Sequence, residues 1–290
     1  MQQEKNRKYY DVIVIGASVP GVFFAIEQKK LGNDVLLINK YGFPGGYLTE
    51  SLSILQMLER NSLFPEIENW LSDLEEDNGL LFQASTTNIF NPENVKISLQ
   101  KLLQNHEIDM LFHVFPKNIE IQKRKDNKFV LWGKEGAIEF YSGYVFDATE
   151  NFLLNLFFEE GENNAMEYKS NLITTEVMRE NIVDINGDAN VYQLADGRCF
   201  MQLPFQVSNS DFYESDAQKK IDEISKHLKK RKCRVQVLAP QSEITFNIKQ
   251  GLYLDQFEEY FGAFVKFVDE PVIPHKILEL TDKLLKLNFT

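Results

Sequence analysis

The sequence has 290 residues, enough for one large domain or for a nucleotide-binding domain with a smaller second lobe. Its formal net charge of −12 repels phosphate backbones, so we expect no nucleic-acid partner. The two cysteines and four histidines fall into no metal-ligand spacing, so no metal site is predicted.

The polar N-terminus MQQEKNRKYY does not have the pattern of a signal peptide. No apolar run approaches the roughly 18 residues that a membrane span requires. The absence of paired cysteines fits a reducing compartment. We therefore expect a soluble, cytoplasmic protein with no membrane partner, and a homo-oligomer or a partner chain stays open.

The first elements form a pattern of strand, helix and strand. Residues 10–15 are short, β-branched and apolar, and they predict a buried strand. Residues 20–31 predict a helix that Gly32 ends, and residues 34–38 predict a second buried strand. Such a unit of about 30 residues is a right-handed βαβ motif.

The rest of the first half alternates between helix and strand. Residues 56–79 and 93–105 have helical patterns, residues 109–114 predict a strand, and residues 117–146 predict a β-meander leading into a buried strand. Within the meander, residues 138–141 and 144–146 are predicted as separate strands. These patterns define a first domain over residues 1–150.

The second half has a different character. Residues 159–170 are polar and predict a surface loop, and residues 216–232 predict an amphipathic helix. We expect an α+β lobe over 151–255 and a C-terminal helical segment over 256–290 that packs on the first domain. The strands predicted in this lobe are residues 171–177, 190–194, 198–205, 233–239 and 243–248.

The turn GASVPG at residues 16–21 resembles a dinucleotide-binding turn. Gly16 permits the tight bend and Gly21 permits close packing of helix and strand, but Ser18 stands where a second glycine approaches the pyrophosphate. Pro20 removes an N–H that has no partner inside the helix, and the helix N-terminus still attracts an anion. At the end of the next strand, Asn39 replaces the acid that binds the ribose, so charge assistance is lost.

Four ordered motifs carry a resemblance to a known family. They are KYGFPGG at 40–46, FNPE at 90–93, VFDAT at 145–149 and VLAPQ at 237–241. Over about residues 1–255 the chain resembles the FAD-dependent oxidoreductases of the glutathione-reductase-like flavoprotein fold, and within them a bacterial branch. The resemblance implies an α/β, Rossmann-like parallel sheet with a β-meander and a smaller α+β substrate-type lobe.

The resemblance also implies a cofactor site for FAD. The pyrophosphate would lie at the turn 16–21, the ribose near Asn39, and the flavin ring near residues 42–46. No residue is indicated as a catalytic acid or base. The predicted cofactor-binding residues are Gly16, Ala17, Ser18, Pro20, Gly21, Asn39, Lys40, Gly45, Gly46, Ala148 and Thr149.

The departures from the family pattern leave alternatives open. Besides Ser18 and Asn39, Glu150 stands where the family has glycine, and residues 256–290 lack the closing glycine- and alanine-rich helix. The chain is therefore either a flavin-dependent oxidoreductase or a shortened, degenerate member that serves as a binding or interaction module. A third alternative is a site for a smaller nucleotide or another anion. If Ser18 limits binding, Ser18→Gly with Asn39→Glu is expected to improve FAD affinity.

Overall fold

The computed structural model describes residues 8–52, 55–56, 65–84, 87–120, 127–149, 165–174, 190–206, 219, 222–223, 225–226, 235–239 and 243–246. The elements in chain order are β1 (Lys8–Ile15), α1 (Val19–Lys30), β2 (Val35–Asn39), α2 (Tyr47–Glu50), β3 (Leu55–Gln56), α3 (Pro65–Glu76), β4 (Leu80–Ala84), β5 (Thr87–Phe90), α4 (Pro92–Asn105), β6 (Asp109–Phe112), β7 (Phe115–Glu120), β8 (Asn127–Gly133), β9 (Gly136–Asp147), β10 (Ala165–Thr174), β11 (Asn190–Gln193), β12 (Cys199–Gln206), β13 (Val235–Leu238) and β14 (Glu243–Phe246).

A six-stranded sheet in the order β6-β2-β1-β9-β8-β7 organises the first half of the chain. β6, β2, β1 and β9 run parallel, whereas β9, β8 and β7 form an antiparallel meander. The predicted βαβ unit is confirmed, with α1 connecting β1 to β2. The Rossmann-like sheet with a β-meander, predicted from the sequence, is therefore present.

The two faces of this sheet are covered differently. Successive side chains of a strand point to opposite faces. Accordingly Val12 and Val14 belong to the core beneath α1, α3 and α4, where Phe23 and Trp70 meet edge to face at 5.8 Å. Ile13 and Ile15 belong to a second core, which they share with the meander. Helices thus cover one face of the sheet, and the core on the other face includes side chains of β8 and β9.

β9 differs from the prediction. The separate strands expected at 138–141 and 144–146 are one continuous strand, although Ser142-Gly143 looks like a turn signal. One edge of β9 pairs antiparallel with β8, and the other pairs parallel with β1 as far as Asp147 opposite Ile15. Pairing with β1 at Ser142 and again at Tyr144 holds the backbone extended through the glycine between them. β9 therefore carries the chain from the meander to the centre of the parallel sheet.

Two smaller sheets complete the described fold. β3, β5 and β4 form an antiparallel sheet, which the sequence analysis missed. β11, β12, β10 and β13 form another, with β14 also paired to β10, as expected for an α+β lobe. The loop predicted over 159–170 is wrong from Ala165 onward, because β10 begins there. The Ala195 N–H donates to the Leu81 carbonyl at 2.8 Å, which links the two sheets.

Other predictions fall partly or wholly outside the described residues. Within the predicted helix 216–232, residues 219, 222–223 and 225–226 are helical. Glu150 and the C-terminal segment 256–290 are outside the described part, as are the stretches at both proposed domain boundaries. The boundaries at 150 and 255 therefore stay predictions.

Candidate functional site

A cavity of about 340 Å³ lies at the carboxyl ends of β1, β2 and β9. β1 is flanked by β2, its successor in the chain, and by β9, which comes much later. Ligands of open α/β sheets bind at this kind of switch in strand order, outside the carboxyl ends of the strands. The predicted residues that line the cavity are Gly16, Ser18, Asn39, Lys40, Gly46, Ala148 and Thr149.

The glycines of the turn are required by packing. Gly16 has a φ of +97°, and a Cβ on it would lie 2.8 Å from the Thr149 nitrogen. A Cβ on Gly21 would lie 2.2 Å from the Gly16 carbonyl oxygen and 2.8 Å from the Ala148 Cβ. Both glycines therefore permit the end of β9 to approach the turn, and Gly21 has the predicted packing role rather than a place in the cavity wall.

Ser18 caps α1 and joins it to β9. Its Oγ accepts a hydrogen bond from the Gly21 N–H at 3.2 Å and donates one to the Ala148 carbonyl at 2.6 Å. The side chain is 2% exposed, so its hydroxyl is engaged inside the protein. In the first turn of α1, Pro20 has no N–H, and the N–H of Gly21 is capped by Ser18. The N–H groups of Ser18 and Val19 have no partner within the helix, and Ser18 lines the cavity, where its N–H suits an anion.

Asn39 holds three backbone segments together. Its Oδ1 accepts from the Ala17 N–H at 3.3 Å, and its Nδ2 donates to the Phe43 carbonyl at 2.9 Å. Longer contacts of 3.4 Å join Nδ2 to the Tyr41 carbonyl and to Oε1 of Glu50. The amide therefore fixes the loop after β2 against the glycine turn, a role that needs both a donor and an acceptor.

The loop 40–46 folds back over the glycine turn. The Gly45 N–H donates to the Ala17 carbonyl at 2.7 Å, and Gly45 and Gly46 have φ values of +122° and +54°. These conformations are available to glycine at little cost. The reversal places α2 directly after the loop, so that Tyr47 and Glu50 line the cavity. Ala17, Pro20 and Gly45 lie outside the cavity lining, and the bond between Gly45 and Ala17 ties the loop to the turn.

The sequence analysis missed Glu50, which is 7% exposed and lies in the cavity wall. Burial raises the pKa of Glu50 to about 7, while the hydrogen bond from Asn39 and the charge of Lys40 act in the opposite direction. Within the sequence, Glu50 stands in the largely apolar stretch YLTESLSIL and belongs to no recognised motif. A carboxyl group that titrates near neutral pH in a cleft is a candidate for function.

The remaining wall comes from residues that sequence reasoning also missed. Tyr41 follows β2, and Val114, Phe115 and Pro116 follow β6 at the same edge of the sheet. The Val114 N–H donates to the Asn39 carbonyl at 3.1 Å, which closes the cavity beside β2. Because the carboxyl ends of parallel strands share an edge, the strand predicted at 109–114 was a usable signal for these residues.

Two negative findings concern the part of the chain that the structure describes. Among these residues no group of three or more His, Cys, Asp or Glu side chains is placed to hold a metal ion. No helix among them is both long enough and apolar enough to cross a bilayer.

The fold is shared with solved structures of a reductase-like protein and a monooxygenase. A geranylgeranyl bacteriochlorophyll reductase-like protein from Thermoplasma acidophilum superposes with a TM-score of 0.62 at 12% identity, over 98% of this chain and 80% of that one. The p-nitrophenol 4-monooxygenase PnpA from Pseudomonas putida DLL-E4 gives 0.60 at 10% identity, over 95% and 76%. At such identities the likeness is one of fold.

A third neighbour contains the cofactor. Aklavinone-11 hydroxylase, solved in a ternary complex with FAD and aklavinone, has a TM-score of 0.55 at 11% identity, and this chain spans 56% of its length. No curated protein matches the sequence. The family model of FAD-dependent oxidoreductases matches residues 11–266, which contain every element of the cavity. On this match and this fold, the chain belongs to the FAD-dependent oxidoreductase family.

Proposed function

We propose that the chain binds FAD at the cavity between β1, β2 and β9 and acts as a flavin-dependent oxidoreductase. The proposal rests on one observation: the α1 N-terminus and Lys40 meet at a partly enclosed cavity, which lies at the switch in strand order. The cavity volume of about 340 Å³ is at the low end of roughly 300–1,000 Å³ for ligand pockets. We assign it to the adenosine diphosphate half of FAD.

The residues present supply binding and orientation. Ser18 lines the cavity at the start of a 12-residue helix, where its N–H favours a phosphate oxygen. Lys40 is exposed at the cavity mouth and adds a positive charge. Ile15 and Ile38 give the floor an apolar surface against which a base can pack. Bound FAD would itself supply the redox chemistry of the isoalloxazine ring.

A second candidate function is a non-catalytic, degenerate member that serves as a binding or interaction module. It is favoured by the internal engagement of two predicted contact groups, since the Ser18 hydroxyl and both ends of the Asn39 amide bond to the protein itself. Fewer groups are then available to a cofactor than in the usual dinucleotide turn. The third alternative, a site for a smaller nucleotide or another anion, would need only the α1 N-terminus.

The test is the flavin content and flavin affinity of the purified chain. We expect a yellow protein or, after reconstitution, a near-stoichiometric complex whose flavin is reduced by dithionite and reoxidised by oxygen. A chain that takes up FAD but whose flavin does not cycle supports the binding module. A chain that takes up no FAD at tens of micromolar refutes the proposed function.

A matched pair of lysine variants locates the binding. Lys40→Gln removes the cation at the cavity mouth, whereas Lys134→Gln removes an exposed cation from the turn between β8 and β9. We expect Lys40→Gln to weaken FAD binding several-fold, and increasingly so at low salt, because the attraction is screened. Equal affinities for the two variants would place any bound FAD elsewhere.

A further inference from the structure

The acid expected for ribose recognition is missing from its usual position. In dinucleotide folds an Asp or Glu about 20 residues after the glycine turn accepts hydrogen bonds from the ribose hydroxyls. Here that position is Asn39, 22 residues after Ala17. Its Oδ1 accepts from the Ala17 N–H and its Nδ2 donates to the Phe43 carbonyl. Asn39 is therefore a structural residue of the loop.

A carboxyl group nevertheless stands beside that position. Oε1 of Glu50 lies 3.4 Å from Nδ2 of Asn39, and Glu50 lines the same cavity. Glu50 arrives there because the loop 40–46 reverses at Gly45 and Gly46 and places α2 against the end of β2. The carboxyl group is thus one hydrogen bond away from the strand end, although it lies 11 residues further along the chain.

We propose that Glu50 supplies the ribose-binding carboxylate that the end of β2 lacks. The inference rests on the proposed function, since it assigns the adenosine diphosphate half of FAD to this cavity. A carboxylate offers about four acceptor positions, so Glu50 can accept from vicinal ribose hydroxyls alongside the bond from Asn39. Hydrogen bonds to a charged acceptor are roughly twice as strong as neutral ones.

The charge state of Glu50 makes this recognition depend on pH. Burial raises its pKa to about 7, and Lys40, after β2, is the charged group that opposes the increase. Tyr41 and Tyr47 also line the cavity, but their phenol groups add no positive charge beside Glu50. Above neutral pH the carboxylate is charged and accepts from the ribose. Below it the carboxyl group is protonated, so the preference for ribose hydroxyls decreases.

The test titrates the flavin-free chain calorimetrically with ADP and with 2′,3′-dideoxy-ADP, at about pH 6 and about pH 8. The ratio of the two affinities reports on the hydroxyls alone, because both ligands carry the same diphosphate. We expect the native chain to prefer ADP by about tenfold or more at the higher pH, and by less at the lower pH. In Glu50→Gln the ratio should fall to about twofold at both values. Glu139→Gln, which removes an exposed carboxylate from β9, should behave as the native chain.

The outcomes separate this inference from the proposed function. If ADP and FAD bind but the native chain does not distinguish ADP from its dideoxy analogue, or if Glu50→Gln keeps the native ratio, the role of Glu50 is overturned and FAD binding stands. If neither ADP nor FAD binds, the proposed function is overturned and the inference with it. Should Glu50→Gln lack a native circular dichroism spectrum, the ratio for the native chain at the two pH values decides.

Discussion

Glu50→Gln should change how the stability of the protein depends on pH. Glutamine has the shape of protonated glutamate and can still accept from Asn39 Nδ2 through its amide oxygen. It does not ionise, so it removes the cost of a charged carboxylate in a wall where the side chain is 7% exposed. The substitution therefore isolates the effect of charging one buried group.

The magnitude follows from the raised pKa. In the folded chain the pKa of Glu50 is about 7, against 4.5 for an unperturbed glutamate. The folded state therefore binds the proton more tightly than the unfolded state, and the stability contributed by Glu50 falls as pH rises from about 4.5 to about 7. The full difference corresponds to about 3 kcal/mol at 1.36 kcal/mol for each pKa unit. Between about pH 5 and about pH 8 we expect a loss of about 2–3 kcal/mol in the free energy of unfolding.

Urea denaturation of the native chain, Glu50→Gln and Glu139→Gln at these two pH values measures the effect. Groups that titrate in every variant cancel when stabilities are subtracted at the same pH. Between the lower and the higher pH we expect the stability of Glu50→Gln relative to the native chain to increase by about 2–3 kcal/mol, and that of Glu139→Gln to show almost no change. A Glu50→Gln difference that is constant with pH would refute the reasoning, because it would mean that Glu50 ionises as easily in the folded chain as in the unfolded one.

Two further substitutions test the framework around the cavity. Ser18→Ala should lower the free energy of unfolding, measured by urea denaturation, by about 2 kcal/mol. It removes the cap of α1 and leaves the buried Ala148 carbonyl without its hydroxyl donor. Asn91→Ala, at the cap of α4, should lower it by about 1 kcal/mol. Equal costs would show that the bond to Ala148 contributes nothing. Asn39→Asp should destabilise the protein by about 2 kcal/mol at about pH 8, because it loses the donor to the Phe43 carbonyl and places a second carboxylate beside Glu50. The loss should be smaller at about pH 5. For the same reason FAD titration should show weaker binding in Asn39→Asp. Stronger binding would support the expectation from the sequence that an acid at this position helps the cofactor.

The sequence by itself determined the framework of the site. The glycine spacing between an apolar strand and a helix fixed the turn, because only glycine fits against the end of β9 at positions 16 and 21. The ordered motifs identified the family, and the match over residues 11–266 confirms it. Seven of the predicted cofactor-binding residues line one cavity, although their contacts with FAD stay predictions.

Only the tertiary structure decided what the polar side chains of the site do. Ser18 and Asn39 look like eroded ligand contacts in the sequence, yet they bond to Ala148 and Phe43. Glu50 belongs to no recognised motif in the sequence, yet the reversal at Gly45 and Gly46 brings it beside Asn39. Local patterns report the backbone conformation of neighbouring residues. Hydrogen-bond partners and burial depend on segments distant in the chain, which meet only when β1, β2 and β9 form one sheet.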